Sequence, residues 1–436
     1  MRKSFLALLC MYGLLFAGLF HWHLIADLQN HPANPRYYYM FSRDRGRIYD
    51  RNGLILATST PLEGGVYQRS YATPSLSHVL GYFHQRYGMT GLERLYHEDL
   101  SMGRTLLTSL DWNLQQTAEE LLQGLNGAVL AIRPSTGEVL ALVSSPSLDG
   151  NALDANWSDY LDDLRSPFLN RATHGLYPPG SIVKPIIYGA ALEKGNVDRF
   201  SLWLDEGSLA LQNRTIRNSG GKAHGNIDLD QALALSSNVV FAQLALSLGE
   251  GLLQDLKAFG LGQEVDFELS NLKGTVPAKI ASAYDGAQIG IGQGELLVTP
   301  LQMAVVAQTI ANDGVMMRPF LVTEVRGGLK MRQITRPRAI GEILPPAVAH
   351  ALQEAMALAA RQGTAQTDLS SSLDYGGKTG TAEMSQGQDH AWFLGFAPST
   401  NPQVAVAVLV ERGGSGSAVA APIGAKLLAA ALRMDE

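Results

Sequence analysis

The sequence of 436 residues predicts an α/β fold: an antiparallel five-stranded sheet flanked by helices, with an all-helical part beside it. Two neighbouring β-prone runs near residue 135 and three more near the C-terminus supply the strands. The long stretch between these two groups carries apolar residues at helical spacing. An apolar segment without charged residues precedes both groups and predicts a membrane anchor.

The N-terminal segment predicts one transmembrane helix over residues 4–26. About 20 apolar residues cross a bilayer as a helix, and the basic residues before this stretch, Arg2 and Lys3, favour a cytoplasmic N-terminus. A cleaved signal peptide is the alternative, but no small-x-small cleavage site follows the apolar core. We therefore expect a single-pass anchor in the inner (plasma) membrane, with residues 1–3 in the cytoplasm and the rest of the chain outside.

The composition excludes several classes of function. A formal net charge of −6 gives no support for nucleic-acid binding, because such binding needs a basic surface. The one cysteine, Cys10, lies inside the apolar segment, so the part outside the membrane has no disulfide, thiolate zinc site or cysteine nucleophile. No pair of histidines stands at metal-binding spacing beside acidic residues, so we expect no metal site.

Residues 27–105 are predicted to form a small pedestal domain next to the membrane. The region is rich in arginine and tyrosine, which suits a position near anionic lipid headgroups. Residues 50–53, Asp-Arg-Asn-Gly, predict a hairpin turn, because Asn-Gly supplies the positive φ angles of a tight turn. A short helix is expected over 94–100. These pieces are too short for a large domain, so the second and larger domain is assigned to residues 106–436.

The elements of the larger domain follow from periodicity, turn residues and helix caps. The predicted strands are 127–132, 138–144, 375–381, 391–397 and 403–411. The predicted helices are 111–124, 181–194, a pair of short helices within 228–248, 299–311 and 422–433.

Ser181 and Lys184 are candidates for a nucleophile and its general base. A Tyr-Pro-Pro-Gly run ends any earlier element, so a helix begins at Ser181, and residues at i and i+3 share a helix face. Lysine can accept the hydroxyl proton if burial or a nearby cation lowers its pKa from about 10.4. The helix N-terminus also points free N–H groups at an oxyanion. Alone, Ser-x-x-Lys is weak evidence, because a helix cap followed by a surface lysine gives the same pattern.

A second motif lies within the predicted helical pair. Ser236, Ser237 and Asn238 are adjacent there, where three polar side chains have no packing reason to cluster. Ser236 can relay a proton between Lys184 and a leaving group. The Asn238 amide can hold a peptide group of a substrate.

A third motif, Lys378-Thr379-Gly380-Thr381, lies on the predicted strand 375–381. Glycine in a strand often marks close approach of another backbone or a ligand. Such a strand can pair at its edge with an extended peptide. Lys378 and the Thr379 and Thr381 hydroxyls are then placed to bind a terminal carboxylate.

In this order and spacing the three motifs resemble those of penicillin-binding proteins and serine β-lactamases. The chain is similar in more detail to class B penicillin-binding proteins with a short pedestal, from the anchor to the C-terminus. The stretches that carry this resemblance are Arg45-Gly46-Arg47-Ile48-Tyr49-Asp50-Arg51-Asn52-Gly53, Asn170-Arg171-Ala172, Gly292-Gln293-Gly294, Thr299-Pro300-Leu301-Gln302 and Ala391-Trp392-Phe393-Leu394-Gly395-Phe396-Ala397-Pro398.

The resemblance implies a peptidoglycan D,D-transpeptidase with a penicillin-binding fold. Ser181 would attack the penultimate D-alanine carbonyl of a stem peptide ending in D-Ala-D-Ala, with Lys184 as base and the Ser181 and Thr381 N–H groups as oxyanion hole. The terminal D-alanine would leave, protonated through Ser236, and an amine from a neighbouring strand would resolve the acyl-enzyme. β-Lactams would acylate Ser181 as mimics of the donor. A SEDS-type membrane glycosyltransferase is the implied partner, and no metal or organic cofactor is needed.

Two other functions remain alternatives. A serine β-lactamase shares the fold and the acylation chemistry, but is usually soluble and hydrolyses its acyl-enzyme with a positioned water. A non-catalytic activator would serve only to dock the polymerase, which the intact set of motifs disfavours. A signalling receptor is disfavoured because residues 1–3 leave no room for a cytoplasmic domain.

Several residues near the motifs are given ordinary structural interpretations. Trp392 and Phe393 are expected in the core, His390 in a loop, and Glu411 at a solvated strand end.

Overall fold

The computed structural model of the protein describes residues 2–21, 41–63, 65–195, 197–211, 213–327, 331–384 and 386–435. Its first helix, α1 (Arg2–Phe20), has 19 residues and a mean hydropathy of 1.8, and is long and apolar enough to cross a membrane. The helix begins two residues before the predicted span 4–26. Residues 22–26 of that span lie outside the described residues, as do residue 1 of the predicted tail and residues 27–40 of the predicted pedestal.

Among the described residues, five of the remaining helices, including the 17-residue helix Pro346–Gln362, lie where no helix was predicted, and the others overlap the predicted helical regions. The remaining helices are α2 (Gly91–Leu95), α3 (His97–Ser101), α4 (Trp112–Leu121), α5 (Leu153–Asp162), α6 (Arg171–His174), α7 (Lys184–Glu193), α8 (Leu229–Leu235), α9 (Asn238–Leu248), α10 (Gly251–Ala258), α11 (Ala283–Gly290), α12 (Pro300–Ala311), α13 (Pro346–Gln362) and α14 (Ala421–Leu432). Short 3₁₀ or π turns cover Pro74–His78, Gly180–Val183, Ser219–Gly221, Gly416–Ala420 and Arg433–Asp435.

The strands fall into two larger sheets and several two-stranded ribbons. They are β1 (Ile48–Tyr49), β2 (Ile55–Pro61), β3 (Tyr67–Tyr71), β4 (Phe83–His84), β5 (Gly88–Met89), β6 (Thr105–Thr108), β7 (Gly127–Ile132), β8 (Val139–Ser145), β9 (Trp203–Asp205), β10 (Ser208–Leu211), β11 (Arg214–Arg217), β12 (Gly225–Ile227), β13 (Val315–Met317), β14 (Val322–Gly327), β15 (Met331–Ile334), β16 (Ala339–Glu342), β17 (Gly376–Ala382), β18 (His390–Ala397) and β19 (Val404–Val410).

The central sheet has the order β17-β18-β19-β7-β8, and every neighbouring pair is antiparallel. Its strands come from the five predicted runs. Helix α12 packs on one face, and α4 and α14 pack together on the other, so the inner strands are apolar on both sides. Strand β17 lies at the edge. The predicted fold class, with an antiparallel five-stranded sheet and a helical part between the strand groups, is confirmed.

A six-stranded sheet contains strands of the predicted pedestal, in the order β15-β14-β6-β1-β2-β3. The predicted turn at 50–53 joins β1 to β2, with Gly53 at φ 86°. Strands β14 and β15 come from the second half of the chain. Thr323 Oγ1, for example, donates to the Leu107 carbonyl at 2.9 Å. The predicted boundary between residues 105 and 106 falls within β6 and stays a prediction.

A buried ion cluster centred on Glu93 joins three segments of the predicted pedestal. Arg45 Nε donates to Glu93 Oε2 at 2.5 Å, and Arg69 Nε donates to Glu93 Oε1 at 2.6 Å. The Glu93 side chain is 0% exposed, and those of Arg45 and Arg69 are 3% and 2% exposed. One carboxylate therefore compensates two buried guanidinium groups that lie in different segments.

Replacing Glu93 with glutamine should destabilise the protein by about 3–5 kcal/mol, because two buried arginine charges would lose their counter-charge. The measurement is the midpoint of thermal unfolding, which should fall by roughly 5 °C or more. The control is Glu98→Gln, an exposed position on α3, where we expect a change within about 0.5 kcal/mol. Equal midpoints for the two variants would contradict the role of Glu93.

Candidate active site

Ser181 lies in a tight turn whose shape requires glycine. The turn Gly180–Val183 is a 3₁₀ segment that leads directly into α7, so the predicted helix 181–194 begins with a 3₁₀ turn. Gly180 has φ +56°, and a Cβ there would lie 2.7 Å from the Thr381 carbonyl oxygen of β17. The turn is thereby pressed against the edge strand of the central sheet.

The loop at Gly292 holds the other side of the same turn. Gly180 N donates to the Gly292 carbonyl at 2.8 Å. Gly292 has φ +77°, and a Cβ at this position would lie 2.0 Å from the Gly180 oxygen. The Gly292-Gln293-Gly294 stretch, one of those that carry the family resemblance, therefore packs against the Ser181 turn.

Three side chains fix the run that precedes Ser181. Tyr177 OH donates to Glu411 Oε1 at 2.6 Å, and Arg171 Nε lies 3.0 Å from the same oxygen. Trp392 Nε1 donates to the Pro178 carbonyl at 3.0 Å. Glu411, which was expected to be solvated, is 19% exposed and binds Tyr177 and Arg171. Trp392 is buried in the core as expected, and its contact with Pro178 was not foreseen.

His390 also lies elsewhere than expected. It belongs to β18 rather than to a loop, is buried, and accepts from the Arg412 N–H through Nδ1 at 3.1 Å.

Lys184 is completely buried at the start of α7, with 0% of its surface exposed. Its amine donates to the Ser236 carbonyl and to Asn238 Oδ1, both at 2.7 Å, and lies 3.2 Å from Ser236 Oγ. Burial, and then the positive charge of Lys378, hold the pKa of Lys184 well below its usual value, while Asp205 opposes this shift. The surroundings therefore favour the neutral form of the amine.

Ser236 ends α8 in a left-handed conformation, with φ 61° and ψ 39°. Such a conformation is uncommon for a residue other than glycine, and often marks a functional position. This conformation ends α8 and separates it from α9, so the motif lies at the junction of two helices. Ser236 Oγ is shared by two amines, those of Lys184 at 3.2 Å and Lys378 at 2.9 Å.

Lys378 lies on β17 and is also 0% exposed. Its amine donates to the Thr379 carbonyl at 2.7 Å as well as to Ser236 Oγ. Burial lowers the pKa of Lys378 to about 7. Thr379 Oγ1 donates to Thr364 Oγ1 at 2.8 Å, while Thr381 is exposed at the end of the strand.

A cleft of about 930 Å³ brings the predicted site residues together. Its wall includes Ser181, Ser236, Asn238, Thr379 and Thr381. The remaining three predicted residues, Lys184, Lys378 and Gly380, are buried behind this wall. The roles assigned to these eight residues stay predictions.

The Lys184 amine does not point at the Ser181 hydroxyl in the way that the i, i+3 spacing suggests. Among the residues that the structure describes, the Ser181 hydroxyl has no hydrogen-bond partner, and the amine is turned toward Ser236 and Asn238. Catalytic hydrogen bonds are often long or absent without substrate, so this arrangement is compatible with a base that engages Ser181 later.

Sequence reasoning missed Asp205, Asn218 and His224, which lie beside the second motif. They are separated along the chain and lie in strands and turns without strong periodicity, so no local pattern marks them. Within the described ranges, no group of three or more His, Cys, Asp or Glu residues is arranged to hold a metal ion.

Comparison with protein families decides the class of this fold and site. Residues 127–429 match the penicillin binding protein transpeptidase domain, and residues 45–121 match the penicillin binding protein A dimerisation domain. The chain belongs to the penicillin-binding protein transpeptidase family. It is a class B penicillin-binding protein, as the resemblance of its motifs implied.

Relatives and solved structures agree with this assignment. The chain is 36% identical to the peptidoglycan D,D-transpeptidase PbpA of Mycolicibacterium smegmatis, over 99% of each chain. It is 32% identical to the peptidoglycan D,D-transpeptidase MrdA of Haemophilus influenzae, over 75% of this chain and 56% of that one. The ceftriaxone acyl-enzyme of penicillin-binding protein A from M. tuberculosis superposes with a TM-score of 0.85 at 32% identity, covering 91% of this chain and all of that one (100%).

Replacing Gly292 with alanine should slow labelling of this penicillin-binding protein by a fluorescent penicillin about 100-fold. The new methyl group would push the Gly180 carbonyl and displace the Ser181 turn, and a misplacement of about 1 Å can cost a factor of this size. The measurement is the second-order rate constant of labelling.

The matched control is Gly294→Ala. Gly294 has the same φ of +77°, but a Cβ there meets nothing closer than 3.7 Å. It therefore carries the strain of a left-handed alanine without the collision. Equal labelling rates for the two variants would contradict the steric role of Gly292.

Proposed function

We propose that this penicillin-binding protein is a peptidoglycan D,D-transpeptidase in which Ser181 forms the acyl-enzyme. The observation that carries the proposal is the hydroxyl of Ser236, which lies between two buried lysine amines in the cleft that Ser181 also lines. Peptidoglycan D,D-transpeptidase is also the printed name of the relatives from M. smegmatis and H. influenzae.

The neutral Lys184 amine suits the role of general base. A neutral amine has two N–H groups and one lone pair. Donation to the Ser236 carbonyl and Asn238 Oδ1 uses both N–H groups, so the lone pair is free to accept a hydroxyl proton. Lys184 takes the Ser181 proton as Ser181 Oγ bonds to the penultimate D-alanine carbonyl carbon. The N–H groups of Ser181 and Thr381 stabilise the oxyanion that forms.

Ser236 completes the proton transfer to the leaving group. The proton held by Lys184 passes to Ser236 Oγ at 3.2 Å, while the Ser236 proton moves to the amine nitrogen of the departing D-alanine. Lys378, at 2.9 Å from the same oxygen, stabilises negative charge on it. The C–N bond then breaks, leaving Ser181 as an ester of the stem peptide.

The edge strand β17 and Asn238 hold the donor peptide. An extended stem peptide can pair with the open side of β17. Thr379 and Thr381, in the wall of the cleft, bind its terminal carboxylate, the buried Lys378 amine attracts it from behind them, and Gly380 allows the close approach. Asn238 Nδ2 is engaged by the Arg217 carbonyl at 2.8 Å, but Asn238 Oδ1 keeps a second lone pair for a substrate N–H. An amine of a neighbouring peptide strand then resolves the ester, with Lys184 again accepting the proton.

A fluorescent penicillin should label the protein on Ser181, and the label should persist for minutes because the site is built to await an amine rather than water. Ser181→Ala should lower labelling by more than about 1,000-fold, since the nucleophile is lost. The control is Ser201→Ala at an exposed position outside the cleft, which should label like the parent. Retained labelling of Ser181→Ala would contradict the assignment of the nucleophile. Rapid loss of label from the parent protein would indicate a β-lactamase.

The position in the cell is also part of the proposal. Helix α1 fits a single-pass anchor, and Arg2 and Lys3 favour a cytoplasmic N-terminus with the cleft outside the plasma membrane. A catalytic site tethered to the membrane surface acts where nascent glycan strands emerge, which supports a SEDS-type membrane glycosyltransferase as partner.

Purification of the tagged full-length chain from membranes should enrich a multi-span glycosyltransferase over an untagged control. The Ser181→Ala variant should retain the same partner, because docking does not need the nucleophile. Absence of such a protein from the enriched fraction would contradict the partnership. Normal cross-linking and growth in cells that contain only Ser181→Ala would favour a non-catalytic activator instead.

A further inference from the structure

Four polar side chains from separate segments meet behind the turn that carries Ser236 and Asn238. Asp205 ends β9, Asn218 follows β11, His224 precedes β12, and Ser237 lies between α8 and α9. Asp205 and Ser237 are 0% exposed, and Asn218 is 5% exposed. The cluster is therefore an internal part of the wall of the cleft.

The Asp205 carboxylate is the centre of this cluster. Its Oδ1 accepts from the Gly207 N–H at 2.8 Å and from Asn218 Nδ2 at 2.7 Å. Its Oδ2 accepts from Ser237 Oγ at 2.7 Å and lies 2.7 Å from His224 Nδ1. A buried carboxylate costs free energy unless hydrogen bonds compensate it, and here both oxygens are compensated.

The cluster reaches the catalytic turn through two bridges. Ser237 Oγ, which donates to Asp205, accepts from the Val240 N–H at 3.1 Å and so caps α9. Asn218 Oδ1 accepts from the Asn238 N–H at 2.8 Å, at the first residue of that helix. The two residues that follow the left-handed Ser236 are thus linked to the Asp205 carboxylate, Ser237 directly and Asn238 through Asn218.

The carboxylate is also charged. Burial by itself raises the pKa of Asp205, but hydrogen bonds from His224, Ser237, the Gly207 N–H and Asn218 outweigh it and lower the pKa below its usual value. The negative charge acts on Lys184, whose pKa it raises against the effects of burial and Lys378.

We propose that Asp205 is a positioning residue, whose carboxylate holds Ser237 and Asn218 and thereby sets the turn that brings Ser236 and Asn238 to the Lys184 amine. This inference rests on the proposed function of Ser181 and Lys184. It adds a residue that does not touch the substrate but determines where the two groups beside the base lie.

Among the described residues, Asp205 is the acidic residue whose charge acts on the Lys184 amine. Lys378 faces it from β17. The acidic residues on the helices packed against α7 are engaged elsewhere: Asp230 and Glu354 pair with Arg199, and Asp255 pairs with Lys194 at the far end of α7.

The test is Asp205→Asn in the full-length protein, with the second-order rate constant of labelling by a fluorescent penicillin measured across pH 5–9. Asparagine keeps the shape but loses the charge and turns an N–H group toward donors. We expect a rate about 10- to 100-fold lower, because the turn moves. We also expect the acid limb of the pH profile at lower pH, because Lys184 loses the charge that raised its pKa and becomes neutral at a lower pH.

Two further variants separate the causes. Ser237→Ala removes one bridge but keeps the charge, so its rate should fall several-fold with the acid limb unmoved. Asp255→Asn, a matched change at the far end of α7, should leave both rate and limb as in the parent. Folding of each variant is checked by its thermal midpoint.

The outcomes divide clearly. A lower rate with a shifted limb for Asp205→Asn supports the inference, while a rate within twofold of the parent, or a lower rate with an unmoved limb, overturns it. If Asp205→Asn does not fold, Ser237→Ala decides, and a rate within twofold of the parent overturns the inference. None of these results bears on whether Ser181→Ala loses its label, so the two proposals fail independently.

Discussion

The site depends on two buried lysine amines, those of Lys184 and Lys378, which share the hydroxyl of Ser236. Two positive charges cannot both be kept in a site from which water is excluded, so at least one amine must be neutral. Burial and the positive charge of Lys378 both favour the neutral form of the Lys184 amine. A neutral lysine at neutral pH is what a serine nucleophile needs, so the packing that excludes water also supplies the base.

The scaffold around this pair is held by close contacts of backbone with backbone and by a few buried polar groups. Gly180 and Gly292 let the Ser181 turn approach both the edge strand and the neighbouring loop more closely than any side chain would permit. Gln302 also holds loop segments in place. It caps α12 together with Thr299 and donates to the carbonyls of three loop residues. Such contacts fix the segments between helices and strands, which have no hydrophobic periodicity of their own.

The strands and helices with strong periodicity could be predicted from the sequence, and so could the three motifs. The strand 127–132 agrees with β7 at both ends, and Thr299 and Pro300 marked the start of α12 correctly. What could not be predicted depends on long-range contacts. The orientation of the Lys184 amine depends on Ser236, 52 positions away, and Glu411 accepts a hydrogen bond from Tyr177, 234 positions away. Neither contact leaves a local signal.

The six-stranded sheet has a consequence for the order in which the chain acquires its structure. Strand β6 finds its neighbour β14 only after the intervening catalytic segments have been made, since contacts such as that of Thr323 with Leu107 join positions 216 residues apart. Until then β6 is an open edge, and open edges attract other strands. The six-stranded sheet therefore cannot be completed before the chain has been made as far as β15. A chain interrupted before β14 would leave β6 exposed at the edge of a four-stranded sheet, while strands β17–β19 of the central sheet follow later still in the chain.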